Sequence, residues 1–176
     1  VIEPPLEQGR LSGNKRRVDR GEVIGPGKAV DYAYRWLDEY GFWETYPVFA
    51  NIAHLEPLLV NSEREGYYAV PFGYEQGDLS HGAVLVNAYT GEFLEIGTFS
   101  KPKRLLQAED AIRLALNYVK CDCEAEVRSV RLRFQPSMQT NTPFLPVWEV
   151  FISHRDLEVP SLLVSMDGIV AEAFIP

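Results

Sequence analysis

The sequence predicts an α+β protein built of duplicated helix-strand-strand-strand units, each laying one helix on a mostly antiparallel sheet. Three observations predict it. Two helical stretches carry their apolar positions at one constant offset, period-two runs follow each of them, and a glycine-centred turn occurs in the middle of the chain and again near its end.

The first 27 residues, with "EPPLEQGRLSGNKRR" at their centre, are rich in Pro, Gly and charge and have neither period, which predicts an arm or linker over 1–27. From Lys28 to Tyr40 the apolar residues Val30, Ala33, Tyr34, Leu37 and Tyr40 fall three and four apart, the spacing that puts them on one helical face. Gly27 suits the N-cap and Gly41 the left-handed position past the C-terminus. A second helix is expected from about Ala108 to Lys120, with Glu109 and Asp110 in the first turn, where carboxylates meet the positive helix end. Ala29, Val30, Ala33 and Leu37 match Ala111, Ile112, Ala115 and Val119 at a constant offset of 82.

The segments after each helix match as well. "HLEPLLVN" (His54–Asn61) corresponds to "EVRSVRLRF" (Glu126–Phe134), and "YYAVPF" to "VWEVFI" with Tyr68 on Trp148 and Val70 on Val150. "VLVNAYTGEF" corresponds to "LLVSMDGIVAEAF". Aligning Leu85-Val86 with Leu163-Val164 brings Gly91 onto Gly168 with one residue of difference in turn length, and glycine there supplies a positive φ without steric cost. The expected organisation is an arm (1–27), a first unit (28–100) and a second unit (101–176), each with a three-stranded sheet.

Composition narrows the function. At 176 residues, 46% hydrophobic and 12% aromatic, the chain can bury a core and is globular. Its net charge of −8 opposes binding to nucleic acid phosphates. No apolar run approaches the ~20 residues a membrane helix needs, so no transmembrane segment and a soluble chain are expected. The sequence begins at Val1 without a charged-then-apolar leader, so an export signal is read as removed or never there.

The matching segments resemble the PepSY domain, whose pattern is a helix with an "A..iA" signature, a strand bearing Trp or Tyr, and "v.vDa.tGev". "KAVDYAYRWL", "GYYAVPF" and "VLVNAYTGEFLEI" carry it in the first half; "AEDAIRLALNYV", "PVWEVFI" and "LLVSMDGIVAEAF" carry it in the second. Departures are Gly27 and Gln107 where Ser or Thr usually precedes the helix, and Asn87 where Asp is usual. The resemblance implies a cystatin-like helix-on-sheet module, extracytoplasmic and non-catalytic, associated with protease propeptides or protein-binding parts of envelope proteins. It brings no catalytic residues and no cofactor.

Chemistry suggested by short motifs fails on context. Ser153-His154-Arg155-Asp156 spells a kinase-like "HRD", but Ser161 stands where Asn is needed and no glycine-rich loop precedes it. "GEVIGPGKA" misses a phosphate loop at Glu22 and Ala29. Cys121-Asp122-Cys123 lacks recognisable ligand spacing to His54, His81 or His154, so ordinary thiols after a helix are expected rather than a metal clip. The acid pairs Glu63/Glu65, Glu109/Asp110 and Glu124/Glu126 are local and solvated.

Eight aromatic residues lie between Tyr32 and Phe49. Tyr34 and Tyr40 share the helix's apolar face, whereas Tyr32 and Trp36 lie on another side that faces the second unit, the arm or a partner. The function expected is a non-catalytic protein- or peptide-binding module, inhibitory toward a protease in one form. Its candidate contacts are Tyr32, Trp36 and Trp43 beside an open strand edge. The alternatives are a structural domain of a larger assembly, or a hydrolase using Asp78 and His81 in the Gly73–Gly82 loop.

Overall fold

The computed structural model describes residues 21–63, 65–74, 78–119, 125–135, 142–153 and 161–173. Helix α1 (Pro26–Glu39) leads through a short helix α2 (Phe42–Thr45) and a 3-10 turn (Pro47–Asn51) to strands β1 (Ala53–His54), β2 (Leu58–Ser62), β3 (Tyr67–Tyr74), β4 (Leu79–Asn87) and β5 (Phe93–Arg104). Helix α3 (Ala108–Val119) precedes β6 (Glu126–Phe134), β7 (Val147–Ser153), β8 (Ser161–Ser165) and β9 (Val170–Glu172). The nine strands form one mostly antiparallel sheet in the order β5-β4-β3-β2-β6-β7-β8-β9, with β1 paired to β3.

Helix α1 starts two residues before the expected Lys28. Pro26 occupies the first turn, where a missing N–H costs nothing, and the N-cap is Gly25 rather than Gly27. Gly41 has φ 61°, as its place after the helix requires. The expected strand over His54–Asn61 is broken in two, because Leu55, Glu56 and Pro57 lie between β1 and β2. The β6 segment runs over the residues its alternation predicts, and five strands follow α1 and four follow α3 rather than three each, because the first expected strand splits into β1 and β2 and the run after each glycine turn pairs as a strand of its own.

Two cores lie on opposite faces of the sheet. Ala29, Val30, Ala33 and Leu37 of α1 pack on Tyr68, Val70, Phe72, Val84 and Val86. The alternate residues Tyr67, Ala69, Ala83 and Leu85 point away from α1 and join Trp148, Val150, Leu162 and Val164 with Ala111 and Ala115 of α3. The two helices therefore cover opposite faces. Strands β2 and β6 run parallel through two residue pairs, Asn61 with Arg133 and Ser62 with Phe134. The Thr142–Leu145 segment reinforces the join from below: Tyr67 Oη donates to Pro143 O at 2.8 Å, and the Phe144 ring fills the space over Gly97.

Several positions matched in the sequence make similar contacts. Tyr68 pairs with Val86 and Trp148 with Val164. Tyr68 Oη donates to Ile24 O, and Trp148 Nε1 donates to Leu106 O, each at 2.8 Å and each just before a helix. Gly91 and Gly168 both have positive φ, 73° and 81°, and donate to Asn87 O and Ser165 O. Tyr32 covers the first turn and Leu114 the second, again 82 residues apart.

The two turns should nevertheless tolerate change unequally. A Cβ at Gly91 would stand 2.4 Å from the Tyr32 ring, whereas one at Gly168 meets only Leu114 at 3.6 Å. Gly168→Ala should cost about 1–2 kcal/mol from left-handed backbone strain alone, and Gly91→Ala measurably more. Urea denaturation of both variants checks this, and equal midpoints would contradict the close fit of Tyr32.

Candidate functional site

The sequence-predicted residues Tyr32, Trp36 and Trp43 are all half-buried. Tyr32 and Trp36 stand one helical turn apart and grip the Gly91 turn: Tyr32 lies on its Cα, and Trp36 Nε1 donates to Gly91 O at 2.8 Å. The Arg35 guanidinium sits over both rings, 5.7 Å from Tyr32 and 5.0 Å from Trp36, and pairs with Glu39 at 3.7 Å. The outer surface of this group is an open hollow lined by Lys28, Asp31, Tyr32 and Arg35.

Trp43 belongs to a separate group. It stacks on Tyr34 at 6.1 Å and donates through Nε1 to Asp38 Oδ1. Tyr34 in turn meets Phe72 edge-on and His54 through its hydroxyl, 3.3 Å from Nδ1. The aromatic-rich "YGFWETYPVF" segment thus folds back over α1 and the sheet, with Phe49 fully buried against Phe72. Between the two groups, Tyr40 stacks on Trp36 and meets Phe93 at 5.4 Å while remaining 55% exposed.

Phe93 opens β5, an edge strand with no strand on its outer side among the described residues. Leu94, 46% exposed, is the extra residue of a bulge between Leu85 and Val86 of the partner strand. Register shifts again between Thr98 and Lys103, where Lys101, Pro102 and Lys103 follow. Charge, proline and bulging are the devices that keep an edge from pairing, so the regular stretch left on β5 runs from Glu95 to Thr98. The opposite edge, β9, has three residues.

In the Gly73–Gly82 loop, residues 75–77 are outside the described set. Asp78 has φ 48° and borders a small hollow with Glu56, Arg104 and Gln107, while the His81 ring lies edge-on to Tyr74 at 5.1 Å. Cys121, Cys123, Glu124 and His154 to Asp156 lie outside the described residues. Among those described, no group of three His, Cys, Asp or Glu residues is placed to hold a metal, and no helix is long and apolar enough to cross a membrane. Glu65 accepts from Asn87 Nδ2, and Asp110 pairs with Arg104 and Arg113.

One charged group was missed by reading motifs alone. Glu149 of β7 is buried and holds Arg131 at 2.7 Å and Arg133 at 3.2 Å from the neighbouring strand, while Ser161 Oγ donates to its other oxygen at 3.2 Å. The R-x-R spacing in "EVRSVRLRF" was the available signal, since alternate residues share a face. Burial works to raise the Glu149 carboxyl, but the bonds and charge of Arg131, followed by those of Arg133, outweigh it and hold the group below the ordinary carboxylate range.

No family model matches the chain, and no curated protein matches it. Among solved structures, the chain is similar to one titled a putative lipoprotein of Clostridium difficile 630, at 11% identity and a TM-score of 0.30, over 88% of this chain and 95% of that one.

A carboxyl depressed on folding contributes stability above its unfolded pKa and loses it as pH falls through the folded value. Wild-type stability should therefore fall between about pH 5 and pH 3, and Glu149→Gln should flatten that fall while lowering stability at pH 7. Urea midpoints across the range test it; parallel pH curves for the two proteins would remove Glu149 from acid sensitivity.

Proposed function

We propose that the chain is a non-catalytic, PepSY-like protein- or peptide-binding module, built of two related helix-on-sheet units. The unit relationship is supported by the paired contacts at the offset of 82, namely Ile24 with Leu106 and Tyr32 with Leu114. Partner contact falls on the Trp36 side of α1 and the adjoining part of β5. The observation that carries this reading is the exposed Tyr40 and Leu94 flanking the start of an unpaired edge strand. An extended segment laid along Glu95–Thr98 gains main-chain hydrogen bonds there, and the rings beside it supply an apolar anchor. Trp43, stacked on Tyr34, would contribute as the support of this surface.

Trp36 joins both roles, since its indole anchors the Gly91 turn and, half-buried, backs the exposed Tyr40. Truncating it to Ala should destabilise the fold by about 2–3 kcal/mol, at the low end for a large aromatic because the ring is half-buried. Leu94→Lys separates binding from folding: the side chain is exposed, so the melting temperature should hold while partner recovery from native extract falls about tenfold, the equivalent of ~1.4 kcal/mol. Unchanged recovery by Leu94→Lys, alongside a sharply lowered melting temperature for Trp36→Ala and Trp43→Ala, would assign the aromatics to packing alone and refute the proposed surface.

A further inference from the structure

We infer that the face of β6 and β7 turned away from α3 is a second docking surface, one that takes an extended acidic segment of a partner protein. Its elements are three arginines on one strand. Glu149, Phe151 and Ser153 alternate along β7 and so share a face, opposite Trp148, Val150 and Ile152, which pack toward α3. Each is met by an arginine of β6. Arg131 and Arg133 hold Glu149, the Arg131 guanidinium also lies 5.0 Å over the Phe151 ring, and Arg128 Nη2 donates to Ser153 Oγ at 2.9 Å.

The charges do not cancel. Glu149 is the one carboxylate paired with these guanidiniums among the described residues, and Arg128 is paired with none. With Glu126, which lies opposite Ser153 in register, also counted, three guanidiniums stand against two carboxylates on this face, a surplus of positive charge on a chain whose net charge is −8. The groups are accessible as well: the side chains of Arg131 and Arg133 are 52% and 29% exposed, and Arg128 is exposed. The buried carboxylate works as a fastening. Arg131 gives it both Nε and Nη2, and this fixes the plane of the guanidinium and leaves Nη1 for an outside acceptor.

The occupant follows from charge and spacing. Arg131 and Arg133 converge on one oxygen of Glu149, and Arg133 Nη2 also donates to Gln135, while Arg128 stands apart beside Ser153, so an extended acidic segment running along β6 meets Arg128 and the outward side of Arg131 as two separate cationic points. Carboxylate forks match guanidinium forks in the plane. Held guanidiniums also lose less freedom on binding than solvated ones, which is where preorganisation adds affinity.

The experiment uses the full chain, isotope-labelled for amide spectra, titrated with an extended peptide of alternating glutamate and threonine and with its lysine counterpart. The acidic peptide should move the amides of Arg128–Arg133 and Glu149–Ser153, and the lysine peptide should not. Arg128→Gln should weaken binding threefold or more. The double variant Arg131→Gln with Glu149→Gln, which removes the charge pair together, should weaken it tenfold or more; if that variant does not fold, Arg128→Gln carries the test. Leu94→Lys, on the other surface, should leave this binding unchanged. Equal binding of the two peptides, or no effect of Arg128→Gln, overturns the proposal. Competition by inorganic phosphate or anionic lipid vesicles, at matched charge, as strong as by the acidic peptide would also overturn it, in favour of a phosphate site or a membrane surface.

Discussion

The parallel pairing of β2 with β6 governs the rest of the architecture. Each is the first strand of an antiparallel run of four, and side by side in the same direction they leave the two runs to extend outward to left and right. With the two runs extending outward in this way, the two helices do not share a face of the sheet: α1 covers one and α3 the other. A sheet half clad on each side would expose the back of the first run, and this is where the chain places Leu58, Val60, Ala83 and Leu85 against side chains of the second. The pairing itself is thin, so the weight of the join falls on this shared apolar core, to which burial contributes ~25 cal/mol per Å².

The same constraint explains the unequal character of the two surfaces. On the α1 side, aromatic rings fill the angle between helix and sheet and spill outward at Tyr40 and Leu94. On the corresponding side of the second run no helix packs among the described residues, and Arg131, Arg133 and Glu149 stand there beside Val147 and Phe151, whereas the reverse face is apolar throughout Trp148, Val150 and Ile152. A charged cluster can stand there because its one buried acid is satisfied by two cations and a hydroxyl.

Much of this was legible in the sequence, and for identifiable reasons. Ala29, Ala33, Ala111 and Ala115 mark helix faces because close approach to a sheet admits only small side chains, so their spacing survives as a pattern. Gly91 and Gly168 were legible because positive φ is a requirement of the backbone itself. The expectation of three strands per unit undercounted because β5 and β9 are edge strands, whose exposed and bulged residues blur alternation. The expected α1 start falls two residues late because Gly27 reads as the N-cap, while proline in a first helical turn is compatible with its fixed φ and moves the cap back to Gly25. The candidate aromatics were legible as a cluster, but composition alone could not say that Trp36 spends its N–H on Gly91 or that Trp43 turns toward Tyr34. The Glu149 cluster joins residues of two strands, and a motif read along one segment sees only half of it.

The position of Phe144 and Pro143 under the first run has a bearing on how the chain is made. As the polypeptide emerges from its N-terminus, the α1 side can close once β5 is available, since every residue of that core precedes Gly97. The other face cannot. Tyr67, Ala83 and Leu85 wait for Phe144, Trp148 and Val150, which arrive after α3 and β6 have been synthesised. Throughout that interval the nascent first unit presents a bare apolar sheet face, the kind of surface that draws chaperones and that aggregates when they are scarce.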